Sequence, residues 1–187
     1  MKNILLFLFL VCFFTGCNNQ QPHFKKTVTT YFQARDASNY NKLKTVISDS
    51  INLIAGDYIM PYSRASFYEQ FKWDSVFKPS YKIMELEEQN NQIIVSVSMG
   101  NIRNAFLKNN SMTCDYKISF TAGKISKIEE LDCKNVDWGI WAQQRDSLVD
   151  WIKVNHPKLD GFVNDMTVIG AINYVQAIEL YEAGKTK

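Results

Sequence analysis

Histidine is almost absent from this chain. His23 and His156 are the only two, one in a polar stretch and one beside Pro157, so no zinc-type cluster can form and no metal is expected. A glycine-rich phosphate loop is missing, no serine or cysteine sits in a motif with a base, and no cofactor is expected. There is also no excess of either charge. The 21 Lys and Arg against 19 Asp and Glu leave +2, without a basic stripe, which argues against a nucleic-acid partner. No repeat or low-complexity run occurs. What is present is globular: 46% apolar and 13% aromatic residues suffice for one domain with a core of its own.

The N-terminus has a separate character. Lys2 precedes the apolar run Ile4-Leu5-Leu6-Phe7-Leu8-Phe9-Leu10-Val11-Cys12-Phe13-Phe14, which is shorter than the roughly 20 residues a membrane span needs. It ends in Phe14-Thr15-Gly16-Cys17. This resembles a bacterial lipoprotein signal of Bacteroidetes type, whose lipobox ends in the cysteine that is lipidated. The resemblance implies a signal peptide over 1–16, lipidation at Cys17 and a polar tether to residue 23. It also implies a membrane partner reached through the lipid anchor. Asn18, in place of an aspartate after the cysteine, favours the periplasmic face of the outer membrane. Of the four cysteines, Cys114 and Cys133 then remain in an oxidising compartment. They fall almost opposite each other in a hairpin turning at Ala122-Gly123. Either a cross-strand disulfide or two buried thiols fits, and a one-residue register change decides between them.

Periodicity predicts a helix over residues 24–37, with Val28, Tyr31 and Phe32 on one face. A second helix runs from the Asn39 cap to Asp49, carrying Leu43, Val46 and Ile47. A short strand spans Ile51 to Ala55 before a Gly56-Asp57 turn. A third helix starts from the capping box Ser66-Phe67-Tyr68-Glu69, or from Ser63, with Phe67, Phe71 and Trp73 as its apolar side. Strands follow: Tyr81 to Glu87, then Gln92 to Phe106 with a bulge or bend at Gly100, then the hairpin Ser111 to Cys133. After Cys133 two helices are expected. One carries Trp138, Trp141, Leu148, Trp151 and Ile152. The other carries Val168, Ala171, Ile172, Val175, Ile178 and Tyr181 and is stopped by Gly184. They should pack on the sheet or over its mouth.

Helices segregated on an antiparallel sheet make the fold class α+β. The order of elements resembles the nuclear-transport-factor-2-like superfamily, also called SnoaL-like or ketosteroid-isomerase-like. The carrying residues are Val28-Thr29-Thr30-Tyr31-Phe32, Tyr40-Asn41-Lys42-Leu43 and Ala122-Gly123-Lys124-Ile125-Ser126-Lys127-Ile128. The resemblance implies a cone-shaped domain over 24–133; it stops there, and the helical pattern of 134–187 reads as an extension packed on that domain. The resemblance also implies a homodimer through the outer sheet face. In the isomerase members a helix-one tyrosine and a protonated aspartic acid polarise a carbonyl; Tyr31 and Asp115 correspond. Their carboxylate base corresponds to Ala55, with Asp57 nearby in the turn. Tyr31, Phe32, Trp73 and Asp115 are the expected ligand-binding residues.

Three functions follow. With no base, proton abstraction has no agent, so the leading reading is a lipid-anchored, non-catalytic protein whose cone binds a small apolar molecule or a protein partner. The second is an acid–base enzyme on a small ring compound, with Asp57 displaced into the base role. The third is a scaffold whose cone is plugged by the C-terminal tryptophans.

Overall fold

The computed structural model describes residues 23–185. The expected signal peptide, Cys17 and the expected tether up to Pro22 lie outside the described residues. Among the described residues no helix is long and apolar enough to cross a membrane.

Six strands form one sheet in the order β2-β1-β6-β5-β4-β3. Helix α1 (Phe24–Asp36) buries Phe24, Val28, Tyr31 and Phe32, an apolar stripe at helical spacing. It shares a core with Ile93, Val95, Val97, Ile118, Ile125 and Ile128 from the concave side of the sheet. Helix α2 (Tyr40–Leu43) is only one turn long, with the Asn39 side chain accepting from the Lys42 N–H at 3.0 Å. The expected continuation to Asp49 does not occur. Val46 and Ile47 are β-branched and favour extended backbone. The Ile125 N–H donates to the Val46 carbonyl, and Ile47 opens strand β1 (Ile47–Ala55).

Strand β1 pairs with the antiparallel β2 (Tyr58–Ser63) and, in parallel, with β6 (Lys124–Lys134). Sequence pattern does not reveal β2. Only Tyr62 in it is even partly buried, so it shows little alternation, and Pro61 within it is tolerated because β2 is an edge strand. Ser63, not Ser66, caps α3 (Arg64–Val76), accepting from the Ser66 N–H at 3.1 Å.

Strand β3 (Ser80–Gln89) turns into β4 (Gln92–Gly100) through Asn90 and Asn91, both at positive φ, the backbone a tight hairpin requires. The expected strand through Phe106 stops at Gly100. The Asn101 side chain accepts from the Asn104 N–H at 2.7 Å and starts α4 (Ile102–Phe106). Gly100 therefore marks a strand-to-helix junction and not a bulge. Strand β5 (Met112–Thr121) returns through Ala122-Gly123 into β6.

One bulge sets the inner end of this hairpin. Asp115 pairs with Asp132 and Tyr116 with Glu130, so Leu131 is an extra residue. It flips the parity of β6 and brings Cys133 opposite Cys114, where the two are joined by a disulfide. The bond closes a loop of 19 residues. Replacing both cysteines by alanine is expected to lower stability by about 3 kcal/mol on loop-entropy grounds. A urea midpoint unchanged from that of the parent protein would contradict this.

The chain ends in α5 (Trp138–Asn155), two short 3₁₀ turns (Pro157–Leu159 and Phe162–Asn164) and α6 (Val168–Lys185). These helices dock on neither the sheet nor its mouth. Leu148, Ile152, Ala171, Tyr174, Ile178 and Tyr181 bury against Trp73 and Phe77 around α3 and Phe106 and Leu107 around α4, making a second core. Gly184 does not stop α6, which runs to Lys185. Its role is close approach, because a Cβ there would lie 2.5 Å from the Trp151 ring.

Candidate functional site: a polar-lined cone cavity

The concave side of the sheet and α1 enclose a cavity of about 230 Å³. Tyr31, Phe32 and Arg35 reach it from α1, Asp74 from α3, Tyr81 from β3, Arg103 and Asn104 from α4, Tyr116 from β5 and Glu130 from β6. Leu53, Ile54, Met60, Met99, Met112 and Ile128 supply its apolar wall.

Arg35 organises the α1 side. It lies one turn from Tyr31, so both project the same way. One guanidinium nitrogen donates to the Tyr31 hydroxyl at 3.1 Å and another to the Asp74 carboxylate. The guanidinium carbon is 5.1 Å from the centre of the Tyr81 ring. Burial works against the charge, yet Tyr81, Tyr31 and Asp74 hold the guanidinium well above its ordinary pKa. Burial pushes Tyr81 up to about 12, against the pull of Arg35. Burial, helped by Glu130, raises Tyr116 further still. Both phenols are therefore neutral hydrogen-bond donors across the physiological range.

Two ionisable groups in the cavity have no ion pair among the described residues. Burial raises the Glu130 carboxyl, and no charged neighbour contributes to that shift. One of its oxygens lies within 4.8 Å of both disulfide sulfurs. Arg103 is the other. Its guanidinium carbon sits 4.9 Å from the Trp73 ring centre and 5.4 Å from that of Phe77. Its Nε is buried with no hydrogen-bond partner among the described residues.

A carboxyl with a raised pKa weakens folding once it ionises. Its penalty is absent below the ordinary glutamate value of about 4.3 and grows as pH rises through the folded-state value. Glu130→Gln should therefore leave the urea midpoint unchanged near pH 3 and raise it at pH 8. Equal midpoints for the two proteins at pH 8 would show that Glu130 is not strained by burial.

Comparison with known proteins bears on the fold. No family model matches the chain, and no curated protein matches it in sequence. Solved structures do. IdmH, a proposed polyketide cyclase from Streptomyces antibioticus, superposes with a TM-score of 0.50 at 12% identity, over 66% of this chain and 99% of its own. A protein from Kribbella flavida gives 0.51 at 9% identity, over 66% and 93%. This chain has the NTF2-like fold. At such identities the likeness concerns fold alone.

Within the NTF2-like cone, Tyr31 and Phe32 line the cavity as expected from their helix. Trp73 does not. It lies in the second core, donating its indole N–H to the Asp165 carbonyl at 3.2 Å, because α3 turns that side toward the C-terminal helices. Asp115 is not in the cavity either. It faces the convex side, 3.5 Å from Lys134, since its neighbours Cys114 and Tyr116 take the inward positions opposite Val97 and Val95. Asp57 is exposed in the β1–β2 turn, while Ala55 does line the cavity. Arg35, Asp74, Tyr81, Arg103, Tyr116 and Glu130 went unforeseen. Two signals pointed to some of them. Arg35 stands at i+4 from Tyr31. Alternation from the apolar Ile118 and Ile128 assigns Tyr116 and Glu130, not Asp115, to the inside.

Proposed function

We propose that this is a lipid-anchored protein of the cell envelope whose cone binds a small, partly apolar molecule without transforming it. The observation that carries the binding reading is the cavity itself, in which an apolar wall meets convergent polar groups with unused hydrogen-bonding capacity. At about 230 Å³ it is smaller than the roughly 300–1,000 Å³ of drug-sized sites, so the ligand is small. Trp138, Trp141 and Trp151 are not among its lining residues, which weakens the plugged-scaffold reading. The isomerase constellation is not assembled there. Asp115 and Asp57 lie outside, and the position corresponding to the base is Ala55.

The test of binding is native mass spectrometry of the protein purified from the cell envelope under mild conditions. A reproducible extra mass, lost when Tyr31 is changed to a bulky tryptophan that fills the cavity, is the expected result. A mass equal to the protein alone in repeated preparations counts against it. Anchorage is tested separately, by incorporation of labelled palmitate that disappears in Cys17→Ser.

An acid–base enzyme is the second reading, and Glu130 is the observation that favours it. It is a carboxyl inside the cavity, with its pKa raised by burial and the neutral donor Tyr116 beside it. Deuterium exchange into a small cyclic ketone, lost in Glu130→Gln, would move the reading from binding to catalysis.

A further inference from the structure

We propose that the cone selects a small monocarboxylate, whose carboxyl group docks on Arg103. The proposal rests on the binding reading above and names the class of ligand for that same cavity. Four charged side chains line the cavity: Arg35, Asp74, Arg103 and Glu130. Arg35 and Asp74 are bonded to each other and cancel. Glu130 lines the same cavity but forms no ion pair with Arg103 among the described residues. One cation is left without an anion.

Leaving a cation unpaired in a part-buried site is unfavourable unless something completes it. Here the aromatic faces of Trp73 and Phe77 hold the guanidinium in place. Cation–π contact stabilises the charge but leaves the in-plane N–H donors without acceptors. Arg103 lines the cavity, and a guanidinium can take both oxygens of a carboxylate. The body of the ligand lies on Phe32, Leu53 and Ile128 with Met60, Met99 and Met112, and thioether side chains adapt to varied apolar shapes. Asn104, buried in α4, also lines the cavity.

The test compares trans-cinnamate with cinnamyl alcohol, a pair differing in the charged head, by isothermal titration on the full chain at low salt. The expected result is an acid that binds at least tenfold tighter than the alcohol. Arg103→Gln should weaken the acid by tenfold or more and leave the alcohol within about twofold. Arg103→Lys, which keeps the charge but loses the fork, should fall between them. Equal binding of acid and alcohol by the parent protein overturns the carboxylate assignment while leaving the binding reading intact, and this comparison needs no variant to fold. If neither probe binds, the assignment fails together with the reading of the cone as a small apolar-ligand site.

Discussion

Removing residues 135–187 is expected to abolish cooperative folding, even though the cut leaves every strand and α1 in place. The reason is the second core. Trp73, Phe77, Phe106 and Leu107 are at most 6% exposed, and they belong to α3, α4 and the turns after them. Their partners Leu148, Ile152, Tyr174, Ile178 and Tyr181 all come from the last two helices. Burying a large apolar side chain contributes about 1.5–3 kcal/mol, so four such residues returned to water forfeit roughly 6–12 kcal/mol. That equals the whole net stability of an ordinary domain, about 5–15 kcal/mol. Single substitutions grade the effect. Leu148→Ala and Ile152→Ala, both fully buried, are each expected to lose about 2–5 kcal/mol. Circular dichroism melting of the truncated protein decides the matter. A sharp transition near that of the full chain would show that the strands and α1 stand without the helical extension.

Gly170→Ala is expected to be strongly destabilising, by a different route. A Cβ at this first-turn position of α6 would collide with the backbone carbonyl and side chain of Asp165. That turn is not free to retreat. The Asp165 carboxylate accepts from the Thr167 N–H at 2.9 Å, and the Gly170 N–H donates to the Thr167 hydroxyl at 3.1 Å. The Asp165 carbonyl also accepts the indole N–H of Trp73, the bond that ties the turn to α3. Overpacking costs about 1–3 kcal/mol. Leaving the Trp73 N–H buried without a partner adds about 1–3 kcal/mol. The sum, about 2–6 kcal/mol, lowers Tm by roughly 2–4 °C per kcal/mol in a chain of this size. Gly184→Ala meets only the edge of the Trp151 ring and should stay at about 1–3 kcal/mol. A Gly170→Ala protein melting less than about 4 °C below the parent, the smallest shift this scaling allows, would refute the account.

Strong local signals were legible. The stripe Val28, Tyr31 and Phe32 gives α1. Asn90-Asn91 and Ala122-Gly123 give the turns, and the alternation of Ile93, Val95, Val97 and Met99 gives β4. The α+β class and the NTF2-like resemblance follow from the order of these elements. Errors arose where a long-range partner decides the local form. Val46 and Ile47 fit a helical face until β6 pairs beside them. Nothing in Tyr58–Ser63 announces a strand, because its pairing with β1 is a matter of backbone and not of side-chain pattern. In the site, Tyr31 was within reach because its helix is periodic. Trp73 was misplaced because a helix lying between two cores has two apolar faces, and spacing does not tell which one meets the cavity. Asp115 was misassigned through correspondence with distant isomerases. The local alternation with Tyr116 and Ile118 pointed the other way.

The parallel pairing of β1 with β6 has a consequence for how the chain reaches its native state. Ile47 meets Ile125, and Leu53 meets Ile128, so an early-synthesised strand waits for the last strand of the sheet. Proteins dominated by such distant pairings fold slowly, on the order of milliseconds to seconds. Until β6 arrives, the β1–β2 ribbon has no neighbour on its inner side, and a ribbon of two strands is marginal by itself. During vectorial synthesis it would emerge first and remain an open edge, with Tyr58 and Ile59 largely exposed even in the finished molecule. Cys133 sits near the end of β6, so its oxidation with Cys114 follows translation of nearly the whole hairpin. Closure of the sheet thus waits for β6, and any delay in forming the β5–β6 hairpin would prolong the period in which the β1–β2 ribbon is open to wrong partners.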